Sequence, residues 1–166
     1  MAERIEIKSL SKNYKSRKVI ENMNVTFPGG KIIGILGPNG SGKSTLIKML
    51  AGVLQPNTGQ ILIDGNPVGV KSKAMVSYLP ERTYLNPSKK VSDIIAFFKD
   101  FYADFSPERA NTMLEKFGVD PQAKIKSLSK GMREKVQIVL VMSRDAKLYL
   151  LDEPMGGVDP AARDYI

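Results

Sequence analysis

The 166-residue chain contains no cysteine, so disulfide bonds and thiolate metal sites are excluded and a reducing compartment fits. Histidine is absent as well. No apolar run approaches the roughly 20 residues that a membrane-spanning helix needs. The opening MAERIEIKSL carries charges where a signal peptide requires an apolar stretch. Internal repeats and low-complexity segments are also missing. What remains is an ordinary globular composition, 42% hydrophobic and 25% charged, at a one-domain length able to bury a core. The net charge of +8 comes from 25 basic and 17 acidic residues. These are spread out apart from one cluster at Lys8, Lys12, Lys15, Arg17 and Lys18, which reads as a solvated face rather than a nucleic-acid surface.

Alternation at Ile5 and Ile7, and again at Val25 and Phe27, predicts strands of a partly exposed sheet. After Pro28, Gly29 and Gly30, the run Ile32, Ile33, Ile35 and Leu36 predicts a strand buried on both faces. Leu46, Ile47, Met49, Leu50, Val53 and Leu54 carry helical spacing, stopped by Pro56, Asn57 and Gly59. Further strands are predicted at Ile61 and Ile63 and over 75–79. Beyond Glu81, the residues Val91, Ile94, Ile95, Phe98, Phe101 and Tyr102 share one helical face, read as core. Ser106 and Pro107 open a second helix that Gly118 ends. A third begins near Gly131, and a strand over 148–151 ends in Asp152 and Glu153.

Between the apolar run and the first helix stands GPNGSGKST, Gly37 to Thr45, a full match to GxxxxGK[ST]. Glycines at 37, 40 and 42 let consecutive backbone N–H groups turn inward on phosphate oxygens, and the following helix N-terminus adds to the attraction. Lys43 is placed to reach β- and γ-phosphates, and the Ser44 hydroxyl to ligate Mg²⁺. The competing reading, a flexible glycine loop with a chance lysine, is disfavoured by the flanking elements. KLYLLDEP then supplies two carboxylates at a strand end: Asp152 for the metal and Glu153 as general base toward water.

In order, GPNGSGKST, LSKGM, LLDEP and GGVD resemble the ATP-binding-cassette (ABC) ATPases from about residue 3 to the last residue. The resemblance implies an α/β fold: a phosphate-loop NTPase core with a mixed sheet, an N-terminal antiparallel β portion and an inserted helical subdomain. Residues 1–80 and 145–166 would form the nucleotide-binding body and 81–144 the helical subdomain with the signature helix. It also implies ATP and Mg²⁺ as cofactors. Ligands to the nucleotide would be Gly37, Pro38, Asn39, Gly40, Ser41, Gly42, Lys43, Ser44 and Thr45, with Tyr14 stacked on adenine. Ser129 and Gly131 of LSKGM would meet the ATP of an opposite subunit, and Asp159 would lie in the loop linking two active sites. Metal ligands would be Ser44, Glu81 and Asp152; Glu153, Lys43 and Glu81 would act in catalysis.

Three departures from the family pattern stand out. Glu81 replaces the usual glutamine, which keeps an oxygen ligand but adds negative charge. Lys130 and Met132 replace the commonest glycine and glutamine of the signature. The family's switch histidine has no counterpart, and 160–166 reads as the start of a helix. The expectation is therefore a single cassette over 1–166, truncated at its C-terminus, that binds nucleotide and hydrolyses it weakly. Implied partners are a second cassette, identical or not, in a head-to-tail dimer, and a separate transmembrane permease. That pairing places the chain in the cytoplasm at the inner face of the membrane, in an exporter-like bacterial complex. A soluble ABC-type ATPase acting on nucleic acid or ribosomes, and a binding-only nucleotide fragment, are the alternatives; no coiled-coil heptad run lies between Gly42 and Leu128 to favour the former.

Overall fold

The computed structural model describes residues 5–154, and Asp159 lies outside them. Two compact units divide the chain, Met1–Val76 and Ser77–Ile166.

In the first unit, β1 (Ile5–Tyr14), β2 (Arg17–Phe27), β3 (Thr58–Ile63) and β4 (Asn66–Pro67) form an antiparallel sheet in the order β2-β1-β3-β4. Alternation decides its buried face: Ile7 pairs with Val25 on one side and Ile61 on the other, and Ile7, Leu10, Ile20, Ile61 and Ile63 are buried. Residues 15 and 16 connect β1 to β2 in a two-residue turn, with Lys15 in the left-handed region at φ 55. Register shifts in β1 coincide with positive φ at Ser9 (48) and Asn22 (43). Side chains satisfy the displaced backbone there: Asn24 Oδ1 accepts from the Ser9 N–H (2.8 Å) and Ser11 Oγ from the Asn22 N–H (3.0 Å). The β1 strand runs well beyond the alternation at Ile5 and Ile7, and Tyr14 is its last residue.

Helix α1 (Lys43–Leu50) buries Leu46, Ile47, Met49 and Leu50, and ends at Ala51, so Val53 is exposed outside it. The predicted strand at 32–36 is not formed. Residues 31–36 join neither sheet, and Ile32 and Leu36 are 105% and 95% exposed. An apolar run becomes a strand only where a neighbour offers a ladder on its edge, and the antiparallel sheet of its own unit does not pair with it. A short helix, α2 (Val70–Met75), precedes the strand expected over 75–79, which begins at Val76.

In the second unit, β5 (Val76–Leu79) pairs with β6 (Leu148–Leu151), the Asp152 N–H donating to the Leu79 carbonyl at 3.0 Å. Helices α3 (Val91–Phe101), α4 (Pro107–Lys116) and α5 (Lys130–Met142), with a 3₁₀ turn at Ile125–Ser127, surround one core. Val91, Leu114, Ile125, Val136, Val139 and Leu140 are essentially inaccessible at its centre. Caps set the helix starts. Ser106 Oγ accepts from the Arg109 N–H (3.2 Å) ahead of Pro107, and Ser129 Oγ accepts from the Met132 N–H (3.2 Å). Ser77 Oγ donates to the Val141 carbonyl (2.9 Å), fastening β5 to α5. The aromatic face of α3 divides: Phe98 is buried, whereas Phe101 is 67% exposed and stacks on Phe97 at 5.8 Å.

Candidate functional site

In the first unit the phosphate loop turns from the apolar run into α1. Gly42 is the N-cap of α1 in the left-handed conformation (φ 96), and a Cβ there would meet Val19 Cγ1 at 3.0 Å and the Val19 carbonyl at 3.2 Å. Only glycine satisfies both the angle and the approach to β2. Residues 37–41 are exposed, Gly42, Lys43, Ser44 and Thr45 are half-buried, and Leu46 begins the buried face of α1. The loop is internally braced. The Ser41 N–H donates to the Pro38 carbonyl (3.2 Å), and Lys43 Nζ donates to the carbonyls of Gly37 (2.8 Å) and Pro38 (2.9 Å). The ammonium is thereby folded over the mouth of the loop, and α1 starts with its N–H groups facing the same way. Tyr14, 47% exposed, closes the β1–β2 hairpin and has Lys12 Nζ 5.5 Å from its ring centre.

In the second unit β5 and β6 end side by side, and their C-terminal residues frame an acidic recess. Glu81, Glu134, Gln137, Asp152 and Glu153 line it. Asp152 is 3% exposed at the end of β6, while Glu153 turns outward in the left-handed region at φ 52. A non-glycine residue held there stores backbone strain of about 1–3 kcal/mol, as residues at functional sites often do. Beside the recess the Tyr78 hydroxyl is buried without a hydrogen-bond partner. Its pKa is raised above 10.0 by burial first, then by the negative charges of Asp152 and Glu81. Glu134 leans toward Lys130 (3.8 Å), its second oxygen buried without a hydrogen-bond partner.

On α5, Ser129 is the N-cap and Gly131 lies in the first turn, where backbone N–H groups have no intrahelical acceptor. The cap bond uses one lone pair of Ser129 Oγ, leaving its proton and second lone pair available. Lys130 is exposed. No three acidic side chains among the described residues converge to hold a metal ion.

The sequence model for "ABC transporter" matches residues 20–156. The chain belongs to the ABC transporter family. The lipopolysaccharide export system ATP-binding protein LptB of Escherichia coli K12 is 34% identical over 164 residues, covering 92% of this chain and 68% of LptB. The SkfA peptide export ATP-binding protein SkfE of Bacillus subtilis 168 is 31% identical over 168 residues, covering 98% and 70%. A solved ATP-binding subunit of an ABC transporter superposes with a TM-score of 0.86 at 29% identity, over 96% of this chain and 70% of that one. The fold is that of an ABC ATPase, its antiparallel β portion and helices as the motifs implied, and the chain is of the ATP-binding, ATPase kind that serves transport. No described helix is long and apolar enough to cross a membrane.

The sequence assigns Arg17 to a solvated basic face, whereas its guanidinium donates to the Gly40 carbonyl (3.1 Å). Nor does the sequence single out Tyr78, Glu134 or Gln137. Gln137 had a readable signal: it is the lone polar residue in VQIVLV yet is only 3% exposed. Arg17 had none, because its role depends on a loop more than 20 residues away.

Proposed function

We propose that the chain binds Mg-ATP at the loop 37–45 and couples its binding and hydrolysis to transport through a separate permease. Lys43 carries this reading: its ammonium, held over two loop carbonyls, is what a triphosphate would draw outward. The residues fit the nucleotide. Gly37, Asn39, Gly40, Ser41 and Gly42 carry the backbone N–H groups, and Pro38, which has none, shapes the turn and offers its carbonyl to Lys43. Lys43 is the cation, Thr45 has a place in the first turn of α1, and Tyr14 offers an exposed ring for adenine.

The donor set also suits Mg²⁺, which favours one or two carboxylates with hydroxyl and phosphate oxygens over an all-protein cage. The donors proposed for it are the Ser44 hydroxyl in the first unit and, in the second, Asp152 with Glu81 as a further oxygen ligand; it would neutralise phosphate charge. Glu153, exposed on the same recess that Asp152 lines, takes the proton of the attacking water. Lys43 stabilises charge on the transferred phosphate.

Ser129 and the Gly131 amide contact a second cassette's γ-phosphate in a head-to-tail dimer, and Asp159 links the two sites. The exposed Phe97–Phe101 pair of α3 supports a permease-docking role for that face, which would hold the chain at the inner face of the cell membrane. Export is the direction that the names of LptB and SkfE carry.

The test is equilibrium binding of Mg-ATP to the wild type and to Lys43→Ala. Loss of affinity of about 100-fold or more in the variant is expected. Equal affinity in both, or no binding by the wild type, overturns the reading.

A further inference from the structure

The β1–β2 hairpin ends against the phosphate loop. Arg17 is the first residue of β2 and pairs with Tyr14 across the two-residue turn. Its Nη2 donates to the Gly40 carbonyl at 3.1 Å, and among the described residues the guanidinium makes no ion pair. The Gly40 carbonyl and the Ser41 N–H are opposite ends of one planar peptide. That N–H donates to the Pro38 carbonyl (3.2 Å), the same oxygen that accepts from Lys43 Nζ (2.9 Å). The peptide is thus pinned at both ends, and its far end sets the carbonyl on which the lysine rests.

We propose that Arg17 is a positioning residue for the phosphate loop, holding the Gly40–Ser41 peptide, and through Pro38 the Lys43 ammonium, in the orientation that receives a nucleotide polyphosphate. Resting on the nucleotide reading, the inference adds a residue outside the loop motif. Its chemistry calls for a cationic N–H donor on a rigid hairpin. A charge-assisted bond to a carbonyl is stronger than a neutral one, and a register-fixed strand end places it without loop freedom. Arg17 is exposed, so replacing it opens no cavity in the core.

The experiment compares wild type, Arg17→Met and Arg17→Lys in Mg-ATP and Mg-ADP affinity and in thermal midpoint. Arg17→Met is expected to weaken both nucleotides about tenfold with an unchanged midpoint, and Arg17→Lys to recover most of the loss. Wild-type affinity in Arg17→Met, a loss that follows a lowered midpoint, or failure of lysine to rescue overturns the proposal alone. A wild type that binds neither nucleotide overturns the nucleotide reading beneath it.

Discussion

Arg144 grips Asp104 with two parallel bonds, Nε to Oδ1 at 3.0 Å and Nη2 to Oδ2 at 2.9 Å, while its guanidinium lies 3.9 Å from the Tyr102 ring centre. Arg144 is 3% exposed. Its carbonyl accepts from Tyr149 (2.6 Å) and from Arg109 (3.3 Å), and Arg109 also reaches the Met142 carbonyl (3.4 Å) at the end of α5. The α3–α4 connection, the C-terminus of α5 and the start of β6 are joined at one residue. Removing one partner of a buried pair leaves the other charge uncompensated. Arg144→Ala is expected to destabilise the second unit by about 3 kcal/mol in urea unfolding. A change under about 0.5 kcal/mol, as at ordinary surface sites, would refute this clasp.

Gly59, at φ +83 in β3, faces the carbonyl oxygens of Lys8 and Ser9 where β1 shifts register. A Cβ would collide with backbone that the sheet cannot move aside. Gly59→Ala is expected to cost at least about 2 kcal/mol, in contrast to Gly30→Ala, where nothing lies near and only the positive φ is strained. Paired thermal melts of the two variants check the order.

The phenol of Tyr78 titrates above 10.0 because burial opposes its charge and Asp152 and Glu81 repel it. As pH rises past 10.0, the unfolded chain gives up this proton while the folded chain keeps it. The stability this phenol contributes is whole below that value and is lost as pH climbs through the raised folded pKa. Tyr78→Phe should flatten that alkaline loss, and Glu81→Gln should move the phenolate absorbance midpoint down toward 10.0. A midpoint unchanged by Glu81→Gln would show that the carboxylate does not act on the ring.

Phe97 and Phe101, 61% and 67% exposed, stack on the outer side of α3. Phe97→Ser with Phe101→Ser should leave unfolding free energy within about 1 kcal/mol of wild type while abolishing co-purification with a membrane subunit. Retained co-purification would move the docking face elsewhere.

The phosphate loop was legible because its physics is local: glycine angles, a lysine and a helix start within nine residues. The cap at Ser106 was legible for the same reason. Phe101 was misread because a stripe at 3.6-residue spacing does not reveal how wide the covering core is; Val91, Ile94, Ile95 and Phe98 fill it, and the next turn emerges. Helix α2 was missed because VKSKAM is one short turn and a half without an apolar period. The strand expected at 32–36 failed on a non-local condition, since a β-strand exists only by virtue of another segment's edge.

That same stretch, KIIGIL, sets how the protein behaves in a tube. It is rich in β-branched residues, has no proline, carries Lys31 as its lone charged gatekeeper, and is left open to solvent along Ile32 and Leu36. Such a segment is a template for cross-β stacking between copies. Concentrated stocks are therefore expected to lose monomer by this route first, and an antibody or strand-mimicking peptide against 31–36 is the natural reagent for keeping the chain in solution.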